Sequence, residues 1–92
     1  MMAQGGIHRD PGLQLLMKTL WLGYDGLDLP FDEIAAVLYY RSALDGRITR
    51  AYGSVPRGVQ AVVVTVTGVY LPARLPAELL RLRWASWRRG HE

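Results

Sequence analysis

Apolar residues in the first half of the chain recur at helical spacing and predict two helices there. In the first segment these positions are Leu13, Leu16, Met17, Leu20 and Tyr24. Asp10 is suited to cap this helix and Pro11 to occupy its first position. The pattern predicts a first helix over residues 11–22.

A second helix is predicted from Pro30 onward. Asp32 and Glu33 would place negative charge at the positive end of its dipole. Its apolar stripe consists of Phe31, Ile34, Ala35 and Leu38. A strand over IAAVLYY is the competing interpretation, but the two alanines and the acidic first turn favour a helix.

The segment RSALDGRITRAYGS predicts a third helix that begins near Ser42. Its apolar side consists of Leu44, Ile48 and Ala51. Gly46 costs about 1 kcal/mol inside a helix. A tight turn at Asp45-Gly46, between two strands, is therefore the alternative interpretation.

The clearest strand pattern is VQAVVVTVTGVYLPAR, which is β-branched almost throughout. Thr67-Gly68 predicts a hairpin turn within it, and Pro72 marks the second strand as an edge.

A last helix is predicted over residues 76–89. Its broad apolar side carries Leu79, Leu80, Trp84 and Trp87. Arg83 falls inside that side, so it either reaches the rim or faces a region that this chain covers only in part.

Length and composition narrow the classes of protein that the chain can belong to. Ninety-two residues, half of them hydrophobic, allow one small domain, expected over residues 10–92 after a flexible leader at 1–9. The absence of cysteine excludes disulfides and thiolate metal sites. No apolar run approaches the ~20 residues of a membrane span, and the N-terminus lacks the order of a signal peptide. The sequence predicts a cytoplasmic protein.

Charge is divided unevenly along the chain. Residues 1–40 carry two cations against five carboxylates, whereas residues 41–92 carry nine arginines against three carboxylates. Arginine presents a planar fork that suits phosphates and guanine edges and keeps its charge. A basic half joined to an acidic, apolar half predicts a module that binds a polyanion.

The predicted α+β order, helix–helix–helix–hairpin–helix, is that of a winged helix–turn–helix protein. The segments GLDLPFDEIAAVL and GRITRA resemble the helix–turn–helix of bacterial DNA-binding proteins, in the form found in region 4 of sigma factors. The resemblance covers residues 15–52. It implies that Ile34 and Leu38 hold the two helices together, that Ala35 lies where they approach closely, and that Ile48 points inward.

The resulting prediction is a small regulatory protein that binds duplex DNA. The third helix would enter the major groove, and arginines at the base of the hairpin would neutralise phosphates. The residues predicted to contact DNA are Arg41, Arg47, Thr49, Arg50, Arg57 and Arg74. No cofactor, metal ion or small-molecule substrate is expected, since the sequence shows no catalytic, phosphate-loop or zinc-binding pattern.

Two alternatives remain open on the sequence. The first is a protein-binding module of the kind found among small basic proteins of phages and mobile elements, which inhibits or adapts a larger protein machine. It would bind either by adding the edge of its hairpin to a partner's sheet or through its Trp-containing C-terminal helix. The residues predicted to contact such a partner, or a second copy in a homodimer, are Leu79, Leu80, Arg83, Trp84 and Trp87. The second alternative concerns the fold and treats IAAVLYYRS and GRITRAYGS as strands of a small antiparallel sheet packed by the C-terminal helix.

Overall fold

Two antiparallel sheets and two helices make up the part of the chain that the computed structural model describes, residues 18–90. The strands are β1 (Thr19–Trp21), β2 (Asp28–Pro30), β3 (Ile34–Tyr39), β4 (Ala61–Thr65) and β5 (Tyr70–Ala73). The helices are α1 (Asp45–Tyr52) and α2 (Ala77–Gly90), with short 3-10 turns at Phe31–Glu33 and Ser42–Leu44. The α+β class is therefore confirmed.

The first predicted helix is wrong over residues 18–22, the part of it that the structure describes. Its last residues form β1, which pairs antiparallel with β2, while residues 11–17 lie outside the described part of the chain. Leu20 and Leu22 are buried, and Trp21 between them is 46% exposed. This alternation is the period of a strand. A helix was predicted here because the apolar residues before β1 recur at helical spacing, and Leu20 continues that spacing.

The second predicted helix is also wrong, and the competing strand is correct. Residues 34–39 form β3, and the acidic residues assigned to a helix start lie in the preceding 3-10 turn. A bulge between Ile34 and Ala36 adds one residue to the strand. Ile34 and Val37 consequently both reach the core, three residues apart, as they would on a helix.

The larger sheet has the order β3–β4–β5, with β4 in the centre. The predicted hairpin is confirmed: β4 and β5 pair antiparallel, and the Thr65 N–H donates to the Val69 carbonyl at 2.9 Å. Pro72 lies on the edge strand opposite Val62, as predicted. Because hydrogen-bonded and non-bonded pairs alternate along the ladder, its ring nitrogen faces away from β4 and removes no ladder bond.

Both faces of this sheet are covered. Val37 and Val63 lie side by side on one face, in a core that also contains Leu80 of α2 and Leu20 of β1. Val62 and Pro72 lie on the other face and are fully buried, as is Ile48 of α1, a helix that packs against β5. The third and last predicted helices are confirmed as α1 and α2.

The helix–turn–helix pair is not present, because a strand stands where its first helix was expected. The chain instead agrees with the alternative fold in having a small antiparallel sheet packed by the C-terminal helix. That alternative was wrong over residues 45–52, which form α1 and not a strand. Neither helix of the described region has the length and hydropathy that a bilayer crossing requires.

Candidate nucleic-acid interface

Helix α1 presents arginines to solvent because a single buried side chain fixes its orientation. Ile48 is fully buried, whereas Arg47, Thr49 and Arg50 are exposed. At 100° per residue, Arg50 points almost directly away from Ile48. The Tyr40 hydroxyl donates to Asp45 Oδ1 at 2.6 Å and ties the start of the helix to the end of β3. This hydrogen bond also raises the pKa of Tyr40 above its ordinary value.

Arg47 is held against the sheet without losing its exposure. Its Nη1 donates to the Tyr70 hydroxyl at 2.8 Å, and the guanidinium carbon lies 5.0 Å from the centroid of the Tyr70 ring. A guanidinium has five N–H donors, and this contact uses one. The side chain is therefore oriented by the protein while most of its donors remain for a ligand.

Arg74, at the end of β5, lies where the two hairpins meet. The backbone N–H of Arg74 donates to the Leu22 carbonyl at 2.7 Å. A Cβ atom on Gly23, which has φ +99°, would lie 2.8 Å from the Arg74 Cβ atom. Only glycine fits this approach. The turn of the β1–β2 hairpin is thereby packed against the base of the β4–β5 hairpin.

Arg57 lies beside the same turn. The Tyr24 hydroxyl donates to the Arg57 carbonyl at 2.7 Å, and Trp21 Nε1 donates to the Tyr24 carbonyl at 3.0 Å. The Arg74 side chain runs alongside Gly58, where an added Cβ would lie 3.4 Å from its Nε atom. Arg57 and Arg74 are therefore neighbours, although they are seventeen positions apart in the sequence.

Tyr24 joins these residues to the end of α1. Partial burial raises the pKa of Tyr24, the positive charge of Arg74 opposes the rise, and the nearby phenol of Tyr52 adds to it. Tyr52 is the last residue of α1 and is 39% exposed. The last residue of α1 is therefore close enough to Tyr24 for the two phenols to interact electrostatically.

We call this region the arginine–aromatic surface. It consists of Trp21, Tyr24, Arg47, Arg50, Tyr52, Arg57 and Arg74. Of the other residues predicted to contact DNA, Thr49 is exposed on α1, and Arg41 is exposed just beyond Tyr40, at the same end of the sheet. Trp21 and Tyr24 were not predicted as site residues. The alternation at residues 20–22 was the local signal for an exposed Trp21, but its link to Arg57, through Tyr24, joins segments distant in the sequence.

The residues predicted to bind a protein partner are largely used within the chain. Leu80 is fully buried in the core, so its prediction as an interface residue is wrong. Trp87 stacks on Phe31 with centroids 5.5 Å apart and planes at 13°, and Trp84 packs against the same core under Arg88. Leu79 is half-buried, and Arg83 is exposed.

A shallow depression of about 390 Å³ lies beside these aromatic rings. Its lining residues are Phe31, Asp32, Ile34, Ala35, Trp84, Trp87 and Arg88. Both indoles contribute one edge to it, so they are not fully enclosed by the fold. The depression is separate from the arginine–aromatic surface, with which it shares no residue.

Arg81 of α2 has its partners on strand β3. Its Nε and Nη2 atoms donate to the Val37 carbonyl at 3.0 and 2.7 Å, and its guanidinium lies 4.9 Å from the Tyr39 ring centroid. The Tyr39 hydroxyl in turn donates to Glu78 Oε2 at 2.8 Å. These contacts fasten α2 to the edge strand β3.

Comparison of the chain with known protein families, characterised proteins and solved structures finds no match. Within residues 18–90, no three histidine or carboxylate side chains are grouped as a metal site requires. The site is therefore interpreted from its own charge, exposure and contacts.

Proposed function

We propose that the protein binds duplex DNA through the arginine–aromatic surface. The observation that carries this proposal is the exposure of four arginines on α1, the following loop and the end of β5, of which Arg57 and Arg74 are neighbours. Within residues 18–90, Arg47 bonds to a neutral tyrosine and none of the four is paired with a carboxylate. Their charge is consequently free to attract phosphates.

The shape of α1 supports contact with a duplex. The helix has eight residues, about 12 Å in length. Gly46 lies on its outer side beside Arg50, and nothing stands within 4 Å of the place where its Cβ would be. A phosphate backbone can therefore approach closely between the flanking arginines. This mode needs one helix and a neighbouring loop and does not depend on a helix–turn–helix.

The function proposed is binding rather than catalysis, and it would place the protein in the cytoplasm. Two arginines of the surface, Arg50 and Arg57, make no side-chain hydrogen bond or ion pair within residues 18–90, so replacing both removes charge with little effect on folding. Each phosphate contact contributes about 0.9 to the slope of log affinity against log salt concentration. We expect the Arg50→Ala/Arg57→Ala variant to bind duplex DNA more weakly and to lower that slope by about 1.8.

The measurement is fluorescence anisotropy of a labelled duplex titrated at about 50 and 200 mM salt, the range in which phosphate contacts dominate the affinity. The matched control is Arg83→Ala/Arg89→Ala, which removes the same charge from the exposed side of α2. Equal weakening by both variants would show that net charge, and not this surface, determines binding. Absence of wild-type binding at the lower salt concentration would refute the proposal.

A second candidate function is binding to a protein partner or a second copy of this chain. The feature that favours it is Leu82 of α2, which is 63% exposed next to Arg83. Arginine is enriched at protein interfaces, and a partner would bury the exposed leucine beside it. Sedimentation of the purified protein, with Leu82→Asp for comparison, would detect self-association through this side of α2.

A further inference from the structure

The aromatic rings of the arginine–aromatic surface are exposed and yet held in fixed positions. The indole N–H of Trp21 is already bonded to the Tyr24 carbonyl, and the Tyr24 hydroxyl is bonded to the Arg57 carbonyl. These bonds satisfy the polar atoms of both side chains from within. What Trp21 offers to a ligand is consequently its ring face and not its donor.

Within residues 18–90, Trp21 belongs to neither the buried core nor the apolar residues packed against it, and 46% of its surface is exposed. Burying a tryptophan face is strongly favourable, so leaving one exposed costs free energy relative to packing it. A ring that is fixed, exposed and next to arginines is the arrangement on which nucleic-acid bases stack.

We propose that the arginine–aromatic surface takes up unpaired nucleotides, of which a base stacks on Trp21 while Arg57 and Arg74 hold the adjoining phosphates. The proposal rests on the proposed function and names a substrate class for the same surface: nucleic acid with an unpaired segment. Paired bases in a continuous duplex present no face to these rings, so duplex binding would use the arginines alone.

Carboxylates on the β1–β2 hairpin set the direction in which a strand can lie. Asp28 is the cross-strand partner of Trp21, and Asp25 lies in the turn; both are exposed. Negative charge on this side repels phosphates, whereas Arg57 and Arg74 attract them on the other side. The backbone is thereby directed along the arginines, and the bases toward the aromatic rings.

The test compares two labelled single strands of equal length and charge, a twelve-nucleotide oligothymidine and the same backbone without bases. Each is titrated by fluorescence anisotropy against the wild-type protein, Trp21→Ala and Trp21→Phe. Stacking of one base on an aromatic side chain typically changes affinity fivefold or more, by about 1 kcal/mol at the low end. We expect oligothymidine to bind at least about fivefold tighter than the abasic strand.

Trp21→Ala should remove that difference by weakening oligothymidine binding and leaving abasic binding unchanged, while Trp21→Phe should keep most of it. Leu82→Ala, which removes an exposed apolar residue from α2, should change neither affinity. Trp21→Leu provides a second variant should Trp21→Ala fail to fold by circular dichroism. It too should weaken oligothymidine binding selectively.

The outcomes separate this inference from the function on which it rests. Equal affinity of the wild-type protein for both strands would overturn the stacking proposal and leave duplex binding by the arginines intact. A loss on Trp21→Ala that is the same for both strands would also overturn it. No binding of either strand or of the duplex would refute the proposed function as well.

Discussion

At the scale of single residues, Gly23 determines how the two hairpins of the molecule meet. Its positive φ is disfavoured for any side chain, and a Cβ there would lie 2.8 Å from Arg74 Cβ and 3.3 Å from the Arg74 backbone. The neighbour is therefore main chain and cannot move aside as the end of a long side chain could.

Gly23→Ala is expected to destabilise the fold by at least about 1–2 kcal/mol, the usual cost of a left-handed conformation for an L-residue. Separation of the hairpins should also weaken nucleic-acid binding by displacing Trp21 from Arg74. Urea unfolding measures the first effect. Gly26→Ala is the matched control for conformation alone, since Gly26 has φ +79° but nothing within 4 Å of its Cβ position.

The contact between Tyr39 and Glu78 makes stability depend on pH in both directions. The hydrogen bond from the Tyr39 hydroxyl lowers the pKa of Glu78 below its ordinary value of 4.5. The same bond, together with the negative charge of Glu78, raises the pKa of Tyr39 above 10.0. The folded state therefore favours ionised Glu78 and neutral Tyr39.

Stability from this contact should be fully present between pH 4.5 and 10.0. It should decline as acid protonates Glu78 through its lowered pKa, and as base ionises Tyr39 through its raised pKa. Comparing the thermal unfolding of Tyr39→Phe with that of wild type measures the contribution of this hydrogen bond, because phenylalanine removes the hydroxyl and keeps the ring that faces Arg81. The melting temperatures of variant and wild type should converge at both pH extremes; a constant difference across the range would contradict the expectation.

At the scale of elements, the spacing of apolar residues predicted a strand or helix correctly where that spacing is regular throughout the segment. It was misleading where a bulge changes the spacing. The β-branched run at residues 61–65 and the Thr67-Gly68 turn identified their hairpin without further information. In β3 the bulge next to Ala35 spaces buried residues by three and imitates a helix. Only the pairing of β3 with β4, a contact between distant segments, decides in favour of a strand.

Helix α1 is an element whose position depends on one residue. Ile48 is its only fully buried side chain, while most of its other residues are exposed. Ile48→Ala should destabilise the protein by about 2–5 kcal/mol, through lost apolar burial and the cavity that remains.

Denaturant unfolding with a circular-dichroism readout checks this expectation, and exposed Thr49→Ala on the same helix serves as the control, expected within about 0.5 kcal/mol of wild type. If Ile48→Ala were as stable as the control, α1 would not be held to the sheet by this residue. A partial loss of helix signal below the main transition would instead show that α1 separates before the sheet unfolds.

At the scale of the whole molecule, the nine arginines of residues 41–92 have different surroundings in the fold, which their order in the sequence does not reveal. Arg57 and Arg74 lie beside the turn that carries Tyr24, Arg47 contacts Tyr70, and Arg81 and Arg88 contact residues around α2. Composition predicted an affinity for polyanions and named the arginines. It could not identify Trp21 and Tyr24, since these come from the acidic half of the chain and reach the site only through the packing of the two hairpins.

The edges of the three-stranded sheet have a consequence for molecules bound side by side. On β5, Pro72 has no N–H to offer to another strand. On β3, the bulge interrupts the ladder and Arg81 occupies the Val37 carbonyl. Neither edge is therefore a template for strand addition. Many copies crowded along one nucleic-acid strand would remain separate molecules and would not fuse their sheets into a fibre.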